Sequence, residues 1–219
     1  EEAVQEAVSE GKEVPWKDDE IFKATVFLAK HVWAAIGLTL VAATKIQKYL
    51  QGMARVAAKE NLPLTWTTPS GLPILQAYTK QATNIVKTLV NGRSYRISVN
   101  SPIPELDSRR QASGVSPNFV HSLDAAAMSL TVYDALSKGV THFAMVHDSY
   151  ATHAHDAQTL ADSLREVFIS IYEEHDVLRE FDAEIRGQIP EAKWESLPEI
   201  PDKGGLDLHL IRRSLYFFA

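Results

Sequence analysis

The chain has 219 residues, a formal net charge of −6, 45% hydrophobic residues and 23% charged residues. This is the make-up of a globular domain with a sizeable core, and it excludes a collagen, a coiled coil, a disordered tail and a disulfide scaffold. With no cysteine, the chain has no disulfide, no thiolate zinc site and no cysteine nucleophile.

The first residues are acidic and polar and form no signal-peptide pattern. Residues 1–9 read as a short helix and Gly11 to Pro15 as a break. Asp18 and Asp19 suit the first turn of a helix from about Glu20 to Lys59, divided or bent at Gly37 and Gly52. Its middle is apolar nearly all round. The run Val32 to Ala43 is too short to span a bilayer and lies between Lys30, His31 and Lys45, so burial among other elements is expected. Asn61 to Pro63 ends the helix. Leu64 to Thr68 and Leu72 to Tyr78 then flank a Pro69-Ser70-Gly71 turn. A second pair, Asn84 to Val90 and Arg93 to Val99, surrounds Asn91-Gly92, the strongest short hairpin signal. Ser101 to Gly114 reads as a polar connection, with Ser116 as N-cap and Pro117 at the first position of the next helix. Phe119, Leu123, Ala126, Leu130 and Tyr133 keep helical spacing up to a stop at Gly139. Phe143 to Val146 is a short strand, interrupted by His147-Asp148-Ser149 and returning as Tyr150 to His153. Asp156 caps a helix with the stripe Leu160, Leu164, Val167, Phe168, Ile171 and Tyr172. Another helical piece runs through Val177, Leu178, Phe181 and Ile185. A Pro- and Gly-rich tail ends on the apolar residues 215–219. The fold class expected is α+β, mostly helical with β-hairpins.

Charge is uneven along the chain. From Thr79 to Asn100 there are Lys80, Lys87, Arg93 and Arg96 and no acid, whereas Asp156 to Ile200 carries twelve acids and four basic residues. Local charge, not net charge, then selects the partner. Four constellations bear chemistry. A strand delivering Asp148 to a tight turn presents a carboxylate at a fixed point, a donor suited to Mg²⁺, although local hydrogen bonds closing a turn explain the same tripeptide. His147, His153 and His155 form either a transition-metal set or a hairpin with surface histidines. The basic hairpin has the width of the DNA major groove, with Lys87, Arg93 and Arg96 placed for phosphates or guanine edges and Asn84 for adenine. An ordinary solvated hairpin remains the alternative. Finally, Ser116 to Asp124 reads as a helix start carrying Asn118, His121 and Asp124, either an anion site or simple capping.

In order along the chain stand the basic hairpin, Pro117-Asn118-Phe119-Val120-His121-Ser122-Leu123-Asp124, and Val146-His147-Asp148-Ser149-Tyr150-Ala151-Thr152-His153. Together with Trp66-Thr67-Thr68-Pro69-Ser70-Gly71-Leu72-Pro73 and the end Phe217-Phe218-Ala219, they resemble the C-terminal part of the phage-type single-subunit DNA-dependent RNA polymerases, over nearly the whole chain. The resemblance implies the palm and fingers portion of a right-hand polymerase fold. It implies a helical fingers part (1–63) and a β-rich part (64–115) with a promoter-specificity hairpin at about 79–100. A palm part (116–219) with a C-terminal foot completes one region. Asp148 is implied as one of two Mg²⁺-binding aspartates, His147 as a neighbour of the RNA 3′ end, and His121 as a neighbour of the nascent base pair or template. Lys80, Asn84, Lys87, Arg93 and Arg96 belong to the implied specificity loop, and Phe218-Ala219 are implied to tuck back toward the active site. Promoter and template DNA, nascent RNA and NTPs are the implied partners, with no membrane, in the cytoplasm of an infected bacterium.

The family's upstream Asp-Gly palm motif and Tyr-Gly fingers motif have no counterpart, since neither dipeptide occurs. The chain is therefore expected to be the last quarter of such an enzyme, as a fragment or a split subunit, and inactive without the missing portion. A non-catalytic DNA-binding module and a histidine-site metal hydrolase are the rival readings.

Overall fold

The computed structural model describes residue 6, residues 9–11, residues 20–215 and residue 217. Most of the expectations for residues 1–19, and the placement of Phe218-Ala219, lie outside these. The chain divides into two compact units, Glu1–Ile46 and Gln47–Ala219.

In the first unit, α1 (Ile21–Thr39) ends at Leu40 and α2 (Val41–Lys59) begins one residue later. The break thus falls at Leu40, whose ψ of 57° interrupts the helical path, and both Gly37 and Gly52 lie inside helices. The expected burial of α1 does not occur. None of its residues is buried, and Phe22, Phe27, Trp33 and Leu38 are all strongly exposed. The physical reason is that its apolar side chains point all round the axis and no described element covers them. At 19 residues and a mean hydropathy of 1.4, α1 is also long and apolar enough to cross a membrane by length and composition.

The second unit is built around a buried aromatic group. β1 (Leu64–Thr67) pairs antiparallel with β2 (Pro73–Gln76), turning at Gly71, whose φ of 81° suits a residue without Cβ. Trp66 on β1 meets Phe181 of α5 (Val177–Gln188) edge to face at 5.7 Å, and Phe181 meets Phe119 of α3 (Ser108–Ser137) at 5.1 Å. The indole of Trp66 donates to Ser122 Oγ at 3.0 Å, so its one polar atom is satisfied inside the core. The outer edge of β1 is closed by side chains of α5. The Thr65 N–H donates to Gln188 Oε1 and the Thr67 N–H to Glu184 Oε1, both at 3.1 Å. These bonds leave no free template for another strand.

α3 starts nine residues earlier than its proline suggested, at Ser108 and not at Pro117. Asp107 is the N-cap and accepts from the N–H groups of Arg109 and Arg110 at 3.0 Å, while Pro117 lies inside the helix. The cause is non-local. Gln111, fully buried, donates to the Gln76 carbonyl at 3.0 Å and accepts from Gln76 Nε2 at 2.8 Å. Asn118 donates to Gln76 Oε1 at 2.8 Å and to the Tyr78 hydroxyl at 3.0 Å. Gly114 is required where Tyr78 crosses the helix, because a Cβ there would stand 2.6 Å from the ring. α3 closes at Gly139 (φ 93°), as its sequence indicates. Of its expected stripe, Phe119, Leu123 and Ala126 are buried, but Tyr133 points to solvent and Thr131 and Ala135 take its place. α3 packs chiefly on α4 (Ala157–Glu174).

Candidate functional site

β5 (Ala144–Val146) and β6 (Ser149–Ala151) form a three-residue hairpin with the register Met145↔Tyr150 and Val146↔Ser149. His147 and Asp148 are its two-residue loop. His147 takes φ 54° while Asp148 does not have a positive φ, the pattern of a type II′ connection. A non-glycine residue there costs about 1 kcal/mol or more. The surroundings that hold it are visible. Phe143, Met145 and Tyr150 pack on the buried cluster Ala135, Val140 and Leu160, so one face of the hairpin is fixed to α3 and α4 while its tip stays in solvent. Asp148 and His147 are both exposed. Asp148, Ser149, Tyr150 and Thr152 line a groove of about 630 Å³ whose floor is Leu160 and Leu164 of α4.

Tyr150 was read from the sequence only as part of a strand. Burial, then the carboxylates of Asp124 and Asp148, push its phenol up to about 12. It therefore stays neutral beside Asp148 at ordinary pH. Asp124, one turn beyond the exposed His121 on α3, also raises the Tyr172 phenol after burial does. The helix residues expected at a helix start thus sit in mid-helix, with no free N-terminal amides to attract an anion. Their link to the hairpin is Asp124.

A magnesium ion keeps several waters and takes one or two carboxylates plus phosphate oxygens. Asp148 fits that donor set as one carboxylate. Among the described residues no three His, Asp or Glu side chains form a group able to hold a metal. His153 stacks on His155 at 6.0 Å and meets His142 at 4.6 Å, and His147 takes no part in these ring contacts.

The basic hairpin is longer than its sequence showed. β3 (Thr79–Val90) pairs with β4 (Arg93–Leu106), which takes in residues 101–106 of the expected polar connection, while residues 108–114 belong to α3. Asn91 (φ 51°) and Gly92 (φ 75°) form the two-residue loop, both left-handed as a type I′ turn requires. The base is pinned by Asn61, which accepts from the Leu106 N–H at 2.8 Å and donates to the Pro104 carbonyl at 3.2 Å. Lys80 forms an ion pair with Glu105 on the partner strand, so this charge is answered locally. Lys87 stands directly opposite Arg96, an unfavourable like-charge pair unless an anion lies over it. Strand alternation puts Arg93 and Asn84 on the other face, with Val86, Tyr95, Ile97 and Val99. The five residues do not share one surface.

The described site thus consists of an exposed carboxylate at the tip of a hairpin packed on the core and a long ribbon carrying Lys87 and Arg96 on one face. The family model for DNA-dependent RNA polymerase matches residues 1–195, and the chain belongs to that family. It is 32% identical over 235 residues to T7 RNA polymerase of Escherichia phage T7 and 32% identical over 234 residues to the DNA-directed RNA polymerase of Enterobacteria phage T3. Both alignments cover the whole chain and 26% of the relative. It is 35% identical over 206 residues to the mitochondrial DNA-directed RNA polymerase 1 of Nicotiana sylvestris, covering 92% of the chain and 19% of that protein. The chain therefore spans about a quarter of the length of these phage relatives.

Proposed function

We propose that this chain supplies the C-terminal palm and fingers surface of a right-hand, DNA-directed RNA polymerase. In the complete enzyme an RNA 3′-hydroxyl attacks the α-phosphorus of an NTP, directed by a DNA template. The observation that carries this reading is Asp148, an exposed carboxylate on a two-residue loop whose flanking strands are anchored in the core. Asp148 would hold Mg²⁺ as one ligand, and the ion supplies Lewis-acid stabilisation of phosphate oxygens when bound. His147, beside it on the loop, faces the RNA 3′ end, and His121 faces the nascent base pair or template. The ribbon reads promoter DNA, with Lys87 and Arg96 on the reading face and Asn84 and Arg93 on the other. Lys80 secures its base through Glu105.

One carboxylate does not hold two metals, so a second must come from an upstream polymerase portion, and the chain alone is inactive. The exposed apolar surface of α1 is read as protein-facing within that assembly, in the cytoplasm of an infected bacterium. The test is NTP incorporation by the chain combined with a phage-type upstream portion. Asp148→Asn keeps the shape and removes the charge, and incorporation should fall at least about 10²-fold, the scale of losing one charge-stabilising group. Near-normal incorporation by the Asn variant would overturn the assignment.

A further inference from the structure

Where α2 meets the first two turns of α3, a second cleft of about 460 Å³ is lined by Gln51, Arg55, Ser108, Arg109, Ala112 and Ser113. It lies on different elements from the Asp148 groove and from the ribbon tip. Among the described residues no carboxylate lines it. The acids close to it in sequence are already engaged: Asp107 caps the backbone of α3, Glu105 pairs with Lys80, and Glu60 pairs with Lys193 at 2.8 Å. Among the described residues neither guanidinium has an acidic partner. Arg55 donates only to Gln51 Oε1, at 3.3 Å. Arg110, next in the chain, is drawn aside over the Tyr78 ring at 5.4 Å.

Two unpaired arginines from two different helices thus face one small cavity whose other polar groups are hydroxyls and an amide. With its oxygen taken by Arg55, Gln51 has its NH₂ left to donate. Such a lining is rich in donors and poor in anionic acceptors, so its ligand must bring negative oxygens. Guanidinium forks match phosphate oxygens in pairs, and the volume is that of a small-ligand site. The helix N-terminus is not the source of the attraction, because the Asp107 carboxylate already takes its amides. We infer that this cleft holds a phosphodiester of a nucleic-acid backbone, separate from the ribbon. The inference rests on the reading that the chain handles nucleic acid.

The test is binding of the chain to short fluorescent probes of one arbitrary sequence: single-stranded RNA, single-stranded DNA and duplex DNA, each at several salt concentrations. The double variant Arg55→Gln, Arg109→Gln should bind single strands about 10-fold more weakly. Its slope of log K against log salt should be smaller by about 1.4, two phosphate contacts at about 0.7 each. Both side chains are exposed, so the fold should be kept, as circular dichroism would check. Arg55→Lys with Arg109→Lys should restore the slope but not the full affinity, because lysine keeps the charge and loses the fork. Comparable losses on RNA and DNA assign the contact to the backbone alone, and a loss confined to one probe identifies its strand type. If the Gln pair matches the wild type in affinity and slope while Lys87→Gln with Arg96→Gln loses binding, the cleft assignment is overturned and the nucleic-acid reading stands. If the wild type binds none of the probes, both are overturned.

Discussion

Replacing Gln111 with Leu tests whether the buried amides between β2 and α3 hold the second unit together. Gln111 is fully buried and Gln76 nearly so. The substitution keeps approximate volume and removes two hydrogen bonds, to Gln76 Nε2 and to the Gln76 carbonyl. Each is worth about 0.5–1.5 kcal/mol, and a buried group left unpaired costs about 1–3 kcal/mol. The Gln76 amide keeps two other bonds, one to the Gln111 carbonyl and one from Asn118, so the carbonyl of Gln76 bears most of the loss. A net destabilisation of about 2–4 kcal/mol follows, read as a lower urea midpoint at unchanged m. Gln76→Leu should cost a similar amount. Because the Nε2–Oε1 bond is shared, the double variant should fall short of the sum of the singles by about 1 kcal/mol. Additivity within about 0.3 kcal/mol, or a single-variant loss below about 0.5 kcal/mol, would refute the reasoning.

Two other expectations can be checked at the surface. On a promoter duplex at fixed salt, Arg96→Ala should weaken specific binding by about 1–3 kcal/mol, and Arg93→Ala, on the opposite face, distinctly less. Equal losses in a binding titration would mean that the ribbon is read from its tip and not from one face. Glu166 accepts from Arg212 Nε at 2.7 Å and Nη2 at 2.6 Å, and these bonds hold its carboxyl below the ordinary carboxylate range. With the folded value depressed, the anchorage of the turn Leu208–Arg213 on α4 is complete above the unfolded value of about 4.3. It is lost as pH falls through the folded value. Amide chemical shifts of that turn, followed from roughly pH 6 to pH 3, should move in the wild type. In Glu166→Gln they should already lie at the released position, and a pH-independent wild type would exclude the anchor.

What could be read from the residues was what their neighbours in sequence decide. Asn91-Gly92 announced a two-residue turn because both positions need left-handed backbone, and Gly139 announced a helix end for the same reason. Leu160, Leu164, Phe181 and Ile185 kept a spacing that burial then used. What could not be read depends on partners far along the chain. Pro117 looked like a helix start until Gln111 and Asn118 found Gln76 and Tyr78. Lys80 counted as a free charge until the register brought Glu105 beside it. The apolar run of α1 implied burial, yet none of its residues is buried. At the candidate site the pattern Val146-His147-Asp148-Ser149 located the loop. The part played by Tyr150 and Asp124 needed the packing of α3 against the hairpin.

The Asn61 clamp has a mechanical consequence. Beyond the irregularity between Thr79 and Gln81, the ribbon runs about ten residues to its turn, a lever of about 30 Å at the usual rise per strand residue. A rotation of roughly 6° at the base carries the tip sideways by about 3.4 Å, the spacing of successive bases in duplex DNA. If the ribbon reads DNA as proposed, the base step its tip addresses would be set at the fulcrum, by one asparagine and two hydrogen bonds to Leu106 and Pro104, far from any side chain that would touch the helix groove.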